Sequence, residues 1–440
     1  MSVAERMSPM RIAFEDYRLD NGLRVILSHD PAVPAVAVNL WYNVGSRNER
    51  PGRTGFAHLF EHMMFQGSEH VPENGHFAFI EKAGGTLNGS TWLDRTNYFE
   101  TLPSNYVELG LWLESDRLGW LLPAMTQEKL DNQRDVVKNE RRWRVDNQPY
   151  GDWDERLQAM LYPPSHPYHH SVIGSMEDLD AASLADVEAF FRTYYAPNNA
   201  VLTICGAFEP APTRALVEMY FGEIPAGPSV PPLPGVIQLP ATLEEEVRAT
   251  VRQKVSLPRV YMGWRIPRYG DDGYYAAAVA ASILSWGKGS LIYRTLVRGE
   301  LAQDVTAYAF PIVVGASMLL LWVTARPGVD TDRLEAAIHE QIATLAEVGD
   351  DDVERAVNLI ETRYLAELQK LDERADLLSM HATLFDDPGR INTELDRVRA
   401  VTARDVRNLA RARLSAGNRA VLWYVSDSDQ GRDMKAEDSA

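Results

Sequence analysis

"DVEAFFRTYYAPNNAVL", residues 186 to 202, and "DVRNLARARLSAGNRAVL", residues 405 to 422, are two versions of one segment that differ in length by a single residue. In the same way "QRDVVKNERRW" from Gln133 parallels "ERAVNLIETRY" from Glu354, setting Glu140 opposite Glu361. Both pairs are offset by about 220 residues, half of a 440-residue chain, so the economical reading is a tandem duplication. Two copies argue for paired domains rather than a solenoid. Between them lies "IPAGPSVPPLPGVIQLP" (224 to 240), too rich in proline for a regular element and suited to a semi-rigid linker. The expected division is a first domain over 1–223, a linker over 224–243 and a homologous second domain over 244–440.

Within the first copy, "YRLDNGLRVILSHD" reads as a hairpin around Asp20-Asn21-Gly22, and "AVAVNLWYNVG" alternates like a strand. Residues 54 to 66 read as a helix ending at Gly67, and helices are expected over 106–120, 126–145 and 152–161. "TLNGSTW" and "TNYFETL" look like strands. Strand runs separated by helix runs predict an α+β layer in each half.

Composition bounds the function. An apolar fraction of 45% and a charged fraction of 24% are those of an ordinary globular protein. A formal charge of −18 argues against a nucleic-acid binder and suits cationic partners or substrates. No run of 18 apolar residues marks a membrane span. The opening "MSVAERMSPMRIAFEDYRLDNG" lacks a signal-peptide apolar region and carries acids that a transit peptide avoids. That predicts a cytoplasmic location, or a periplasmic one if a signal has been removed. A single cysteine, Cys205, excludes an intrachain disulfide and leaves histidines and carboxylates as the available metal ligands.

"GFAHLFEHMMFQGS", residues 55 to 68, places His58, Glu61 and His62 in an otherwise apolar segment. Each is costly to bury alone, and a metal ion is a partner all three can share. On a helix His58 and His62 lie one turn apart, and Glu61 projects beside them toward the open side of an ion. Zinc accepts imidazole nitrogens readily, and a catalytic site keeps three protein ligands plus a water. Eight of the ten histidines fall in the first half, and the matching region of the second half reads "AAAVAASIL" (276 to 284). The metal site therefore belongs to one half. For a third ligand, Glu140 in "VVKNERRWR" and Glu114 in "LWLESDRLGW" both qualify on residue type alone. "HPYHH" at 166 to 170 is better explained by solvated or supporting histidines than by a second metal.

HxxEH is the signature of the inverted zincins, and with a glutamate about 78 residues downstream the chain resembles the pitrilysin family of zinc peptidases. More closely, it resembles the bacterial relatives of the mitochondrial processing peptidase β-subunit. The resemblance spans nearly the whole chain, through "GLRVILSHDPAVPAVAVNLWYNVGSRNERPGRTGFAHLFEHMMFQGS", "GGTLNGSTWLDRTNYFETLP", "RDVVKNERR", "HPYHHSVIG" and "YYAPNNAVLTICG". It implies two homologous α/β-sandwich domains, one zinc ion held by His58, His62 and Glu140, and Glu61 as general base. Asn88 and Gly89 would lie on an edge strand that pairs with an extended peptide. The implied activity is zinc-dependent hydrolysis of peptides or unfolded segments.

Two departures qualify that picture. The family's second glutamate, seven residues before the ligand, is here Gln133, which still offers a hydrogen bond. Active single-subunit members carry an arginine and, seven residues on, a tyrosine that grip the substrate. In "YRTLVRGELAQDVTAY" Arg298 is followed by Val305, and alignment on "LA" puts Gln303 at the tyrosine position. Tyr308, five residues beyond Gln303, is expected on the opposite face of a strand. The implied partner is therefore a homologous subunit without zinc that supplies the arginine–tyrosine pair. The alternatives are a stand-alone or homodimeric peptidase and a non-proteolytic assembly subunit.

Overall fold

The computed structural model describes residues 11–427. The chain is mixed α/β, with two sheets that each pack against helices. It divides into two compact units, and both interleave segments from the two sequence halves.

The first unit takes residues up to Asn139, Ser171–Pro234 and Leu365–Glu394. Its sheet holds β1 (Glu15–Arg18), β2 (Arg24–His29), β3 (Ala35–Tyr42), β4 (Thr86–Thr91), β5 (Thr96–Pro103) and β6 (Ala200–Gly206). They lie in the order β1-β2-β6-β3-β5-β4, which leaves β4 as an edge strand. The expected hairpin forms, with Arg18 opposite Arg24 and Gly22 supplying a φ of 91° in the turn. The sequence of β3 shows why both faces need cover. Val36, Val38, Leu40 and Tyr42 enter the main core, while Ala37, Asn39 and Trp41 face the other way, and all seven are buried.

On the core side sit α1 (Phe56–Met63), α2 (Gly75–Lys82), α3 (Val107–Trp120) and α4 (Gln127–Arg141). The other face receives a helix from the far half of the sequence, Leu371–Phe385. There Ser379 shares a hydrogen bond of 2.7 Å with Thr203, and Asp376 accepts one of 2.8 Å from the Trp41 indole.

The second unit comprises Glu140–His170, Gly235–Tyr364 and residues from Leu395 onward. The helix α5 (Trp153–Leu161) covers one face of its sheet, with Trp153 stacked on Tyr261 at 5.0 Å. The helices that follow in the chain are α6 (Met176–Asp180), α7 (Leu184–Tyr194), α8 (Pro210–Phe221), α9 (Asp272–Ser285), α10 (Thr331–Thr344), α11 (Asp350–Leu368), α12 (Leu371–Phe385), α13 (Glu394–Arg399) and α14 (Ala403–Arg413). The second sheet is β7 (Val247–Gln253), β8 (Arg259–Ile266), β9 (Ala302–Ala309), β10 (Ser317–Ala325) and β11 (Arg419–Ser426). Its order, β7-β11-β8-β10-β9, repeats that of β2-β6-β3-β5-β4 strand for strand, with the same parallel and antiparallel pairings.

Each half of the sequence thus lends a segment to the other unit: α5 covers the second sheet and α12 the first. The sequence division at 223 and 244 follows the repeat; the compact units follow which apolar face each helix buries. Residues 225–246 contain no helix or strand.

Candidate metal centre

Helix α1 begins where the backbone is tightly constrained. Gly55 precedes it with φ 84°, and a Cβ there would lie 2.6 Å from the Ile173 carbonyl oxygen, so only glycine fits. The first turn is then tied down by a buried carboxylate. The Gly55 and Ala57 amides donate to the two oxygens of Glu49 at 3.0 and 2.7 Å. Those amides have no partner within the helix, and an acid at the positive end of the helix dipole is the stabilising choice. Phe56, Leu59, Phe60 and Met63 go into the core, leaving His58, Glu61 and His62 on the half-buried side.

The two imidazoles stand 4.8 Å apart, nearly perpendicular at 85°. Helix α4 supplies the third group. Its buried stripe is Leu130, Gln133 and Val137, and Glu140 continues the same 3–4–3 spacing at the end of the helix. One ligand atom each from His58, His62 and Glu140 lie within 4.8 Å of one another. No other trio of His, Cys, Asp or Glu among the described residues meets that spacing. Arg144, one turn on, holds Glu140 Oε1 at 2.8 Å. The helix expected over 126–145 stops at Arg141 and continues as a π-helical turn, Arg142–Asp146, a distortion often found beside functional sites.

Glu114, the other sequence candidate, lies elsewhere. It is buried in an ion pair with Arg117, whose guanidinium lies 4.2 Å from the centre of the Tyr98 ring. Burial, reinforced by the neighbouring Glu114, holds Glu100 protonated well above the usual carboxylate range. These charges lie under β5 and outside the trio.

Glu61 Oε2 accepts a hydrogen bond of 2.5 Å from Thr91 at the end of β4. Gly89, on the same face of that strand, is close to Glu61: a Cβ there would lie 3.3 Å from Glu61 Cγ. The Gly89 amide donates to the Asn88 side-chain oxygen at 2.9 Å and so points away from β5, toward the free edge. Asn88 is exposed. Thr91 and Glu49 were absent from the sequence reading. Glu49 precedes the helix by six residues and follows no periodic pattern.

The "HPYHH" histidines do not join the trio. His166 is buried, accepts from the Tyr168 amide at 3.1 Å and stacks on Tyr162; burial pushes its pKa down to about 4. His169 pairs with the Tyr162 carbonyl oxygen at 2.7 Å.

In β9 the strand geometry changes one expectation. The ladder with β10 shifts register between Thr324 and Ala325, so that Gln303 is an extra residue between Ala302 and Asp304. Across this bulge Ala302 and Ala307, five residues apart, both turn to the buried face. A spacing of five therefore does not separate Gln303 from Tyr308, and the alternation argument fails here. Tyr308 is half-buried and packs against Phe310 at 5.2 Å.

Comparison with known proteins gives two family-model matches. Residues 24–163 match the insulinase model, peptidase family M16, and residues 181–360 match the model described as the peptidase M16 inactive domain. Between them they span most of the chain. The chain is 27% identical over 372 residues to the zinc protease PqqE of Helicobacter pylori, covering 83% of this chain and 79% of that protein. It is 31% identical over 212 residues to the mitochondrial-processing peptidase β-subunit of Blastocladiella emersonii, covering 48% and 44% of the two. In fold it is similar to the crystal structure of a protease from Helicobacter pylori, with TM-score 0.87 and 23% identity over 94% of this chain and 100% of that one.

Proposed function

Because this chain belongs to peptidase family M16, we propose that it is the zinc-bearing catalytic subunit of an endopeptidase, with His58, His62 and Glu140 as ligands and Glu61 as general base. The observation that carries this reading is the convergence of the three ligand atoms within 4.8 Å. Tetrahedral ligands about 2.1 Å from an ion sit about 3.4 Å from one another, so small side-chain rotations complete the set. Two imidazoles and one carboxylate leave a fourth position open, as catalytic zinc requires. When bound, zinc supplies Lewis acidity toward a carbonyl oxygen and makes water acidic near neutrality.

The chain's own residues do the rest. Glu61 accepts the proton of the attacking water and returns it to the leaving amine. Thr91 fixes the orientation of that carboxylate from the strand beside it. The free edge of β4 offers backbone groups around Asn88 and Gly89 to an extended peptide, which joins as an added strand once the Asn88 side chain releases the Gly89 amide. Recognition through backbone hydrogen bonds makes sequence preference broad and favours unfolded segments.

A homologous partner without zinc would supply the arginine–tyrosine clamp. The similarity to the β-subunit of a mitochondrial-processing peptidase and the glutamine at position 303 support this part of the proposal. The second reading, a stand-alone or homodimeric peptidase, draws support from the β9 bulge, which removes the objection to Tyr308. The experiment combines zinc analysis with a peptidase assay of the chain alone and with its homologous partner, the oligomeric state being fixed by light scattering. One zinc per chain, lost in a His58→Ala/His62→Ala double variant, is expected. A clamp group directed at the developing oxyanion is worth about 10²–10³ in rate, and the partner should restore that factor. Full turnover by the pure chain would give the second reading instead, and full zinc in the double variant would remove the metal assignment.

A further inference from the structure

Three side chains leave a zinc ion one position for water only if each gives it a single atom. An imidazole can do nothing else, because its two nitrogens point away from each other. Glu140 has a choice. Its carboxylate carries two oxygens, and carboxylates bind cations through either one or both. A glutamate that closed on the ion with both would fill or crowd the position that catalysis needs open.

Arg144 is placed to prevent this. Its Nη1 lies 2.8 Å from Glu140 Oε1, the length of a charge-assisted hydrogen bond. The Glu140 side chain is only 16% exposed and that of Arg144 is 64% exposed, so the guanidinium reaches from the solvent side onto a largely enclosed carboxylate. Arg144 stands in the π-helical turn Arg142–Asp146 that takes over where α4 ends. The nearby Arg141 is committed elsewhere: it donates to Glu155 at 3.0 Å and lies 3.6 Å from Asp146. A simple alternative exists, since glutamate and arginine four residues apart form an ordinary helix pair that contributes little when exposed. Spacing alone explains such a pair, but its acid here is the one that meets His58 and His62 within 4.8 Å.

We infer that Arg144 is a positioning residue that confines Glu140 to ligation through one oxygen and so keeps the fourth position open. The inference rests on the reading of His58, His62 and Glu140 as the metal ligands. The guanidinium competes with the ion for Oε1, and its planar fork fixes the plane of the carboxylate. Two cations then share one anion, and they repel each other. Removing Arg144 should therefore leave the metal bound at least as tightly, yet bound in a different way. That sign separates this role from a supporting one, because a partner that strengthens a ligand loosens the metal when it is lost.

The test loads the full chain with cobalt(II) in place of zinc and records its visible spectrum. Four-coordinate cobalt absorbs strongly, and the band weakens as the coordination number rises. The wild-type chain should show the strong band at one cobalt per chain. Arg144→Gln should keep one cobalt per chain with a weaker band, and Arg144→Lys, which still offers Oε1 a cationic donor, should restore the strong one. With zinc in the active assembly, Arg144→Gln should lower kcat about 10- to 100-fold while KM stays unchanged. A spectrum unaltered by Arg144→Gln overturns the inference, and so does loss of the cobalt from that variant, which would make the arginine a support for the ligand. In both cases the metal reading stands. A wild-type chain that binds no cobalt and no zinc overturns both.

Discussion

Replacing Glu49 by glutamine changes one oxygen to an NH2 group and removes a charge at a position 4% exposed. Both carboxylate oxygens are in use, one by the Gly55 amide and one by the Ala57 amide. The variant keeps one acceptor and turns a donor toward the other amide, so one charge-assisted bond is lost outright. Such bonds contribute about 1.5–3 kcal/mol, and the lost charge at the helix N-terminus adds about 0.3–1 kcal/mol. Local destabilisation of α1 should therefore be about 2–4 kcal/mol. Global denaturation is a poor gauge for a chain of two units, because unfolding need not be two-state. Amide hydrogen exchange reads the local term: α1 amides should exchange about 30- to 900-fold faster while the second unit keeps its rates. Zinc affinity should fall as well, because the ion must then order the helix that presents His58 and His62. A folded Glu49→Gln chain with unchanged exchange throughout α1 would refute the argument that this carboxylate anchors the helix.

Two further outcomes are expected. Glu61→Gln should retain zinc and fold while losing about 10²–10⁴ in turnover, measured with a quenched peptide in the active assembly; wild-type rates would remove Glu61 from proton transfer. Stability should fall as pH drops below about 6.5, because burial lowers His76 and His381 to about 3 and His166 to about 4. Between those values and the unfolded pKa the unfolded chain binds protons that the folded chain refuses, at up to about 1.4 kcal/mol per pH unit for each histidine. Glu100, held protonated by burial, acts in the opposite direction. Amide hydrogen exchange from pH 7 to 5, corrected for the intrinsic rates, should show the decline in the elements that bury these histidines, and His381→Leu should reduce it around α12; an unchanged slope there in that variant would contradict the sign.

What could be read from the sequence depended on whether a residue's signal was local. The duplication, the hairpin at Gly22 and the HxxEH helix are patterns within a dozen residues, and all three have counterparts in the structure. Glu140 was one of two candidates on residue type. Its spacing from Leu130, Gln133 and Val137 puts it in line with the buried stripe of α4, but it is half-buried where Glu114 is fully buried, so burial does not choose it. Convergence on the histidines is a tertiary fact. Glu49 acts through backbone amides, which carry no side-chain code. The β9 bulge arises from one extra residue against β10, and strict alternation hides it. The reciprocal placement of α5 and α12 was also invisible, because an amphipathic helix does not state which sheet it covers.

That reciprocal placement has a consequence for synthesis. The first sheet is complete in sequence once β6 ends at Gly206, yet the helix that closes its second face ends only at Phe385. About 180 residues must still be translated, which at about 5–20 residues per second takes roughly 10–35 s. Through that interval the nascent chain holds Ile26, Trp41 and Cys205 on an uncovered sheet face, although all three end fully buried. The first unit, begun at the start of synthesis, is therefore finished only when most of the second has also been made. The chain needs either a holding chaperone or a slow-aggregating intermediate for as long as its own second half is being made.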